Sequence, residues 1–336
     1  MPPHLVFEAI AEGKIQLDDQ VKASANASSL PDGSSTIFLG TGEVLTVDEL
    51  LEAVAIISAN DAGIALAEYI AGSESAFVAM MNAKAQELGL GNTNFINVHG
   101  LHAPGHLMSA RDIAVLTRAT LQRYPDILQY SSVKYLRMER QTRYVRQGYF
   151  DLHSTYASLI GWRNIDGLKT GWTPEAGRCI TATAEENGRR VIVVVMGMDS
   201  ISQRDQKVKE LLAKAFDQFQ PIVPVKAGEV IDTISIQSAN KETDVVPAHD
   251  VTLVIPRSGK LEDFERKVEI DPNLKAPLKK GDVVGSLSFY REGGLTASVD
   301  LVLDEDVAKA SIFTRILRFL GGAFSDLGRW ILGLFK

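Results

Sequence analysis

Ile165-Asp166-Gly167-Leu168-Lys169-Thr170-Gly171-Trp172 is a short apolar-to-polar run with glycines on each side, and it reads as a strand. Its centre, Lys169-Thr170-Gly171, places an amine and a hydroxyl side by side, followed by a residue with no side chain. Such a strand can hold a carboxylate and leave room for an extended ligand along its edge. Cys179–Ala184 and Val191–Gly197 follow as strand candidates, joined through Asn187-Gly188, a hairpin signal. Residues 204–219 read as a closing helix.

Upstream, Ile57-Ser58-Ala59-Asn60-Asp61 interrupts two apolar stretches of helical spacing. Thr46-Val47-Asp48-Glu49 opens the first of them with the capping-box pattern. Ser58 can relay a proton, and the Asn60 amide can bind a substrate amide. The same Ser-x-Asn triplet at Ser24–Asn26 and Ser238–Asn240 falls in a polar loop and a β-rich region, where it reads as chance. Residues 74–88 form a further helix. Residues 92–108 form a loop around Asn97-Val98-His99-Gly100-Leu101, and Ser109-Ala110-Arg111-Asp112 caps another helix. Asp61 and Arg111 read as structural, a helix cap and an ion pair. His99, His102 and His106 lack a metal-ligand spacing.

The 336 residues carry 35 Lys and Arg against 42 Asp and Glu, a net charge of −7. That balance excludes a basic nucleic-acid binder. At 45% hydrophobic and 23% charged, the composition is that of a globular protein of about two domains. The single cysteine, Cys179, excludes an intrachain disulfide. Beyond Pro221 and Pro224 the pattern turns β-rich, with strands expected at 230–236, 251–255, 267–270, 283–290 and 297–303. Residues 305–336 place Phe313, Ile316, Leu317, Leu320, Phe324, Leu327, Ile331 and Leu334 on one helical face, with Arg315, Arg318, Arg329 and Lys336 opposite. This is the pattern of an amphipathic helix lying in a membrane interface.

With their flanks, these segments resemble the low-molecular-mass penicillin-binding proteins, the serine-type D-alanyl-D-alanine carboxypeptidases. The resemblance runs in order through Ile57–Asp61, Asn92–Phe95, Val98–Leu101, Ser109–Asp112 and Asp166–Thr173, and covers essentially the whole chain. It implies an α+β (α/β) transpeptidase- and β-lactamase-like domain at 1–220, an antiparallel sheet with helices around it. An all-β C-terminal domain would follow at 221–303, and the anchor helix at 305–336. It implies removal of the terminal D-Ala from a peptidoglycan stem peptide through an acyl-enzyme, with no metal and no cofactor. β-Lactams would acylate the same serine.

By that resemblance Ser58 shuttles a proton and Asn60 holds the substrate amide. Lys169 and Thr170 bind the terminal carboxylate, Gly171 leaves space, and the Trp172 N–H donates to the oxyanion. His99 takes a supporting role near the site. The family's Ser-x-x-Lys, its nucleophile and base, would precede the helix formed by Leu5, Val6, Ala9 and Ile10, so both are expected outside this chain. Ser131–Lys134 and Ser238–Lys241 match Ser-x-x-Lys but do not precede the Ser-x-Asn as the family order requires. Residues 1–25 show no signal peptide; an upstream start would place the protein at the periplasmic face of the inner membrane. The alternative is a non-catalytic, membrane-associated peptidoglycan-binding or scaffolding protein.

Overall fold

The computed structural model describes residues 1–140 and 145–310, and divides into two compact units, Met1–Asp217 and the residues from Gln218 onward. The first unit opens with α1 (Pro2–Ala11), whose Leu5, Val6, Phe7 and Ala9 are buried, as the helical spacing predicts. A two-stranded ribbon, β1 (Gln20–Lys22) with β2 (Val44–Thr46), leads into α2 (Val47–Ile56). Thr46 accepts from the Glu49 N–H at 3.1 Å, and Glu49 accepts the Thr46 N–H at 2.7 Å, so the capping box forms in full.

The chain breaks at Ser58 and resumes as α3 (Asn60–Ala71), ended by Gly72 at φ +77°. Next come α4 (Glu74–Glu87), the short pair β3 (Thr93–Asn94) and β4 (Leu107–Met108), α5 (Ala110–Arg123) and α6 (Ile127–Ser131). A hairpin of β5 (Tyr135–Glu139) and β6 (Tyr149–His153) follows. Then β7 (Ile165–Thr173), β8 (Gly177–Glu186) and β9 (Arg189–Met198) form one antiparallel sheet in the order β7-β8-β9, and α7 (Ile201–Gln218) closes the unit. The β8–β9 turn sits at Asn187 (φ +52°) and Gly188 (φ +73°), the left-handed pair that the Asn-Gly signal predicts.

The main core of this unit gathers α1, α2 and α3. Val6, Ile37, Leu50, Leu51, Ile56, Ile64 and Leu66 are all at most 2% exposed. Each such side chain contributes about 1.5–3 kcal/mol. A second cluster joins the β7-β8-β9 sheet to α7 through Ile165, Ile180, Val195, Val208, Leu212 and Phe216. The two cores hold the Ser58 break and the Lys169 strand as parts of one unit.

In the second unit, β10 (Phe219–Val225) pairs with β13 (Val251–Pro256). β11 (Asp232–Ile234), β12 (Thr243–Pro247), β14 (Glu265–Ile270), β15 (Val283–Arg291) and β16 (Gly294–Leu303) form an antiparallel sheet in the order β11-β12-β16-β15-β14. Leu253, Leu287, Phe289, Leu301 and Leu303 build its core. The unit is all-β in this sense, but β10 and β12 were not among the expected strands. Pro221 and Pro224 read as a boundary, yet they lie inside β10. A two-stranded ribbon tolerates prolines because one side of each strand has no ladder to complete.

The helix expected over 305–336 does not begin at its stated start. Residues 305–310 are non-helical, with Val307 paired to Leu278 and buried. The remainder, 311–336, lies outside the described residues.

Candidate active site

The site begins with a backbone anomaly. Ser58 stands between α2 and α3 at φ +64°, a left-handed conformation that a non-glycine side chain adopts at a cost of about 1–3 kcal/mol. The apolar packing of α2 and α3 on either side holds it there. On the other side, β7 is an edge strand paired only with β8 among the described strands. Lys169 reaches from it to donate to Ser58 Oγ at 2.6 Å and to its neighbour's carbonyl, Thr170 O, at 2.7 Å. Two motifs 111 residues apart thus share one hydrogen bond. Because the lysine donates, the Ser58 hydroxyl proton is free for another acceptor. Burial lowers the Lys169 ammonium from 10.5 to about 8.

Asn60 lies at the first turn of α3 and is 7% exposed. The Asn60 amide faces the carbonyls of Ser58 and His99, and the orientation that satisfies it puts its nitrogen toward both, donating at 3.3 Å each. His99 therefore meets the site through its backbone oxygen. Its ring is occupied elsewhere: Nδ1 accepts the Leu101 N–H at 3.2 Å, Nε2 lies 3.9 Å from Glu74 Oε1, and burial lowers its pKa. The expected supporting role is that of a loop residue, not of a proton donor.

Thr170 Oγ1 lies 2.6 Å from Thr155 Oγ1, a partner that sequence reasoning missed. Gly171 has ordinary φ, and a Cβ built there would meet no protein atom within 4 Å. The fold makes no demand for glycine at 171, so the open space is available to a ligand. Gly177, at φ +65° with the Gly197 backbone 3.1 Å from a built Cβ, is by contrast a packing glycine. Trp172 is 54% exposed, with the Arg178 guanidinium stacked 4.5 Å from the ring centre.

Ser58, Asn60, Lys169, Thr170 and Trp172 line one cavity of about 890 Å³, the size of a small-molecule or peptide site. Arg204 lines it too and was also missed. It is 3% exposed, and its Nε donates to Asp205 Oδ1 at 2.9 Å. A buried guanidinium is a second cationic group in the cavity beside the Lys169 ammonium. The signal was in the sequence: Arg204 occupies the buried stripe of α7 with Val208, Leu212 and Phe216, at four-residue spacing.

The remaining candidates are engaged otherwise, although Ser131 also borders the cavity. Ser131 is 2% exposed and donates to Asp166 O at 2.9 Å, while Lys134 is exposed. Ser238 belongs to the second unit. Asp61 does more than cap a helix: its carboxylate accepts N–H groups from Ile37, Leu39 and Ala62, pinning the 35–39 segment against α3. Arg111 is exposed and has no ion pair within 4.0 Å among the described residues. Its neighbour Asp112 does the anchoring, accepting from the Asn92 N–H and the Thr93 hydroxyl at 2.8 Å each.

Residues 1–200 match the peptidase family described as D-alanyl-D-alanine carboxypeptidase. The chain belongs to the D-alanyl-D-alanine carboxypeptidase family. Residues 219–309 match the C-terminal domain of penicillin-binding protein 5. The D-alanyl-D-alanine carboxypeptidase DacF of Bacillus subtilis is 33% identical over 94% of this chain and 80% of that protein. DacC of Escherichia coli is 33% identical over 98% of this chain and 82% of that protein. Among solved structures, penicillin-binding protein 5 of Haemophilus influenzae superposes with a TM-score of 0.79 at 31% identity, covering 92% of this chain and 88% of that one. Penicillin-binding protein D2 of Listeria monocytogenes, in its cefotaxime-bound form, has a TM-score of 0.55 at 28% identity, covering 64% and 83%. The carboxypeptidase resemblance of the motifs is thus carried by the family as a whole.

Proposed function

We propose that this chain recognises the D-Ala-D-Ala end of a peptidoglycan stem peptide and serves the serine-type carboxypeptidase reaction that removes its last residue. The observation that carries the reading is the 2.6 Å bond from Lys169 to Ser58, in a cavity that also holds the buried Arg204. Two cationic side chains and the Thr170 hydroxyl suit a terminal carboxylate. The Asn60 amide suits the peptide's own amide, and the Trp172 N–H the scissile carbonyl.

In the reaction a serine oxygen bonds to that carbonyl carbon, and the peptide C–N bond breaks. The proton that the lysine base takes from that serine passes through the Ser58 hydroxyl to the departing D-Ala amine, while Lys169 stays charged on the carboxylate. Water then cleaves the ester and releases the shortened peptide. Neither Ser-x-x-Lys of the described residues reaches the cavity as a serine–lysine pair, so no acylating serine is assigned among them. β-Lactams mimic the same terminus. A cell-wall substrate further requires an extracytoplasmic location, and residues 311–336 would hold the protein at the membrane surface.

The test is equilibrium binding of Nα,Nε-diacetyl-L-Lys-D-Ala-D-Ala to residues 1–336, against the same peptide with a C-terminal amide. A charge-assisted contact is worth ~1.5–3 kcal/mol, so the acid should bind at least about tenfold tighter. Intact mass after penicillin treatment should show no adduct. Equal binding of acid and amide would sink the carboxylate assignment.

A further inference from the structure

The direction of β7 fixes where the rest of a bound peptide goes. With the terminal carboxylate at Lys169 and Thr170 and the scissile carbonyl at the Trp172 N–H, the residues upstream of the scissile bond continue along the strand. They run toward the turn at Pro174–Ala176. Glu175 sits in that turn, just past the last strand residue Thr173, so it lies within about 10 Å of the carbonyl site, the most that three extended residues can span. That is the range of the third stem residue and its side chain.

Two groups wait there, both lining the same cavity. The Trp172 indole is 54% exposed and has Arg178 over its ring. Beyond it the Glu175 carboxylate lies 3.8 Å from His102 Nδ1, which reaches across from the 97–106 loop. Both side chains are about half exposed, 51% and 56%. Glu175 is held below the usual carboxylate range, first by its own backbone N–H and then by the Thr173 hydroxyl and His102, so it is anionic near neutral pH. An apolar plate ending in a carboxylate is the complement of an aliphatic chain ending in an ammonium.

We propose that Trp172 and Glu175 form the subsite for the third stem residue and select a long side chain that bears a free amine. The methylenes lie on the indole, and the ammonium meets Glu175, displacing the contact to His102. This inference rests on the carboxypeptidase reading, because that reading sets the peptide's direction.

The experiment measures dissociation constants for Nα-acetyl-L-Lys-D-Ala-D-Ala and its Nε-acetylated form with residues 1–336 near neutral pH. The free amine should bind about three- to fivefold tighter, the scale of one half-exposed ion pair. In Glu175→Gln the ratio should fall to about one, and in Glu175→Lys it should invert. Equal affinities in the unaltered protein overturn the subsite alone, as does a preference that survives Glu175→Gln. Binding of neither peptide overturns the carboxypeptidase reading and the subsite with it.

Discussion

Replacing Lys169 with Met should abolish recognition while making the protein more stable. Burial lowers the ammonium from 10.5 to about 8, so between these values the unfolded chain holds a proton that the folded chain has lost. Stability then rises with pH across that window, and below pH 8 the full penalty applies. At 1.36 kcal/mol per unit the penalty is roughly 3 kcal/mol. Methionine removes it but also removes the bonds to Ser58 Oγ and Thr170 O. These return about 1 kcal/mol each, leaving a net gain of roughly 1 kcal/mol near pH 7. For a unit of this size that raises Tm by about 2–4 °C. Thermal melts at pH 7 and near pH 10 test it: the gain should shrink at the higher pH, where the unaltered lysine is neutral. The same variant should lose much of the preference for the acid over the amide, keeping only what Arg204 and Thr170 supply. A Met variant that melts lower at pH 7, or keeps the full preference for the acid, would refute the reasoning.

Carboxylate binding by the unaltered protein should weaken as pH rises through about 8, as Lys169 loses its proton; a flat titration to pH 10 would assign the carboxylate to Arg204 alone. Gly171→Ala should leave stability within about 0.5 kcal/mol in a thermal melt, since a Cβ there meets nothing, yet weaken peptide binding by steric contact with the ligand. Arg204→Met should bring the acid and amide affinities closer and, by leaving the Asp205 carboxylate with only the Ser158 hydroxyl, destabilise by about 1–3 kcal/mol in a denaturant titration. Asp61→Ala leaves the Ile37 and Leu39 N–H groups without their acceptor, and should cost about 2–4 kcal/mol by the same titration.

What the sequence made legible was the chemistry of short contiguous motifs. Lys169-Thr170-Gly171 sits on the strand expected of it, and Ser58-Ala59-Asn60 at the break expected between two helices. The capping box at Thr46 and the hairpin at Asn187-Gly188 followed from local backbone rules that tertiary context did not override. The residues missed are those whose role depends on distant chain segments. Thr155 enters only because its loop lies against β7. Glu175 and His102 meet across the cavity from turns 73 residues apart in sequence position, and neither turn announces the other. Arg204 was legible in principle, as a charge on the apolar stripe of α7, but a stripe alone does not say that it faces a cavity. Pro221 and Pro224 marked a boundary close to where the second unit begins at Gln218, but proline punctuates loops and edge strands alike, so β10 itself was not legible.

The central claim is that Lys169 and Ser58 belong to one site built for a peptide carboxylate. A crystal structure of residues 1–336 soaked with Nα-acetyl-L-Lys-D-Ala-D-Ala tests it most directly. The account predicts the terminal carboxylate within about 3 Å of Lys169 Nζ and Thr170 Oγ1, with the peptide running along β7 toward Glu175. A peptide bound with its carboxylate away from Lys169, or lying outside this cavity, would contradict it.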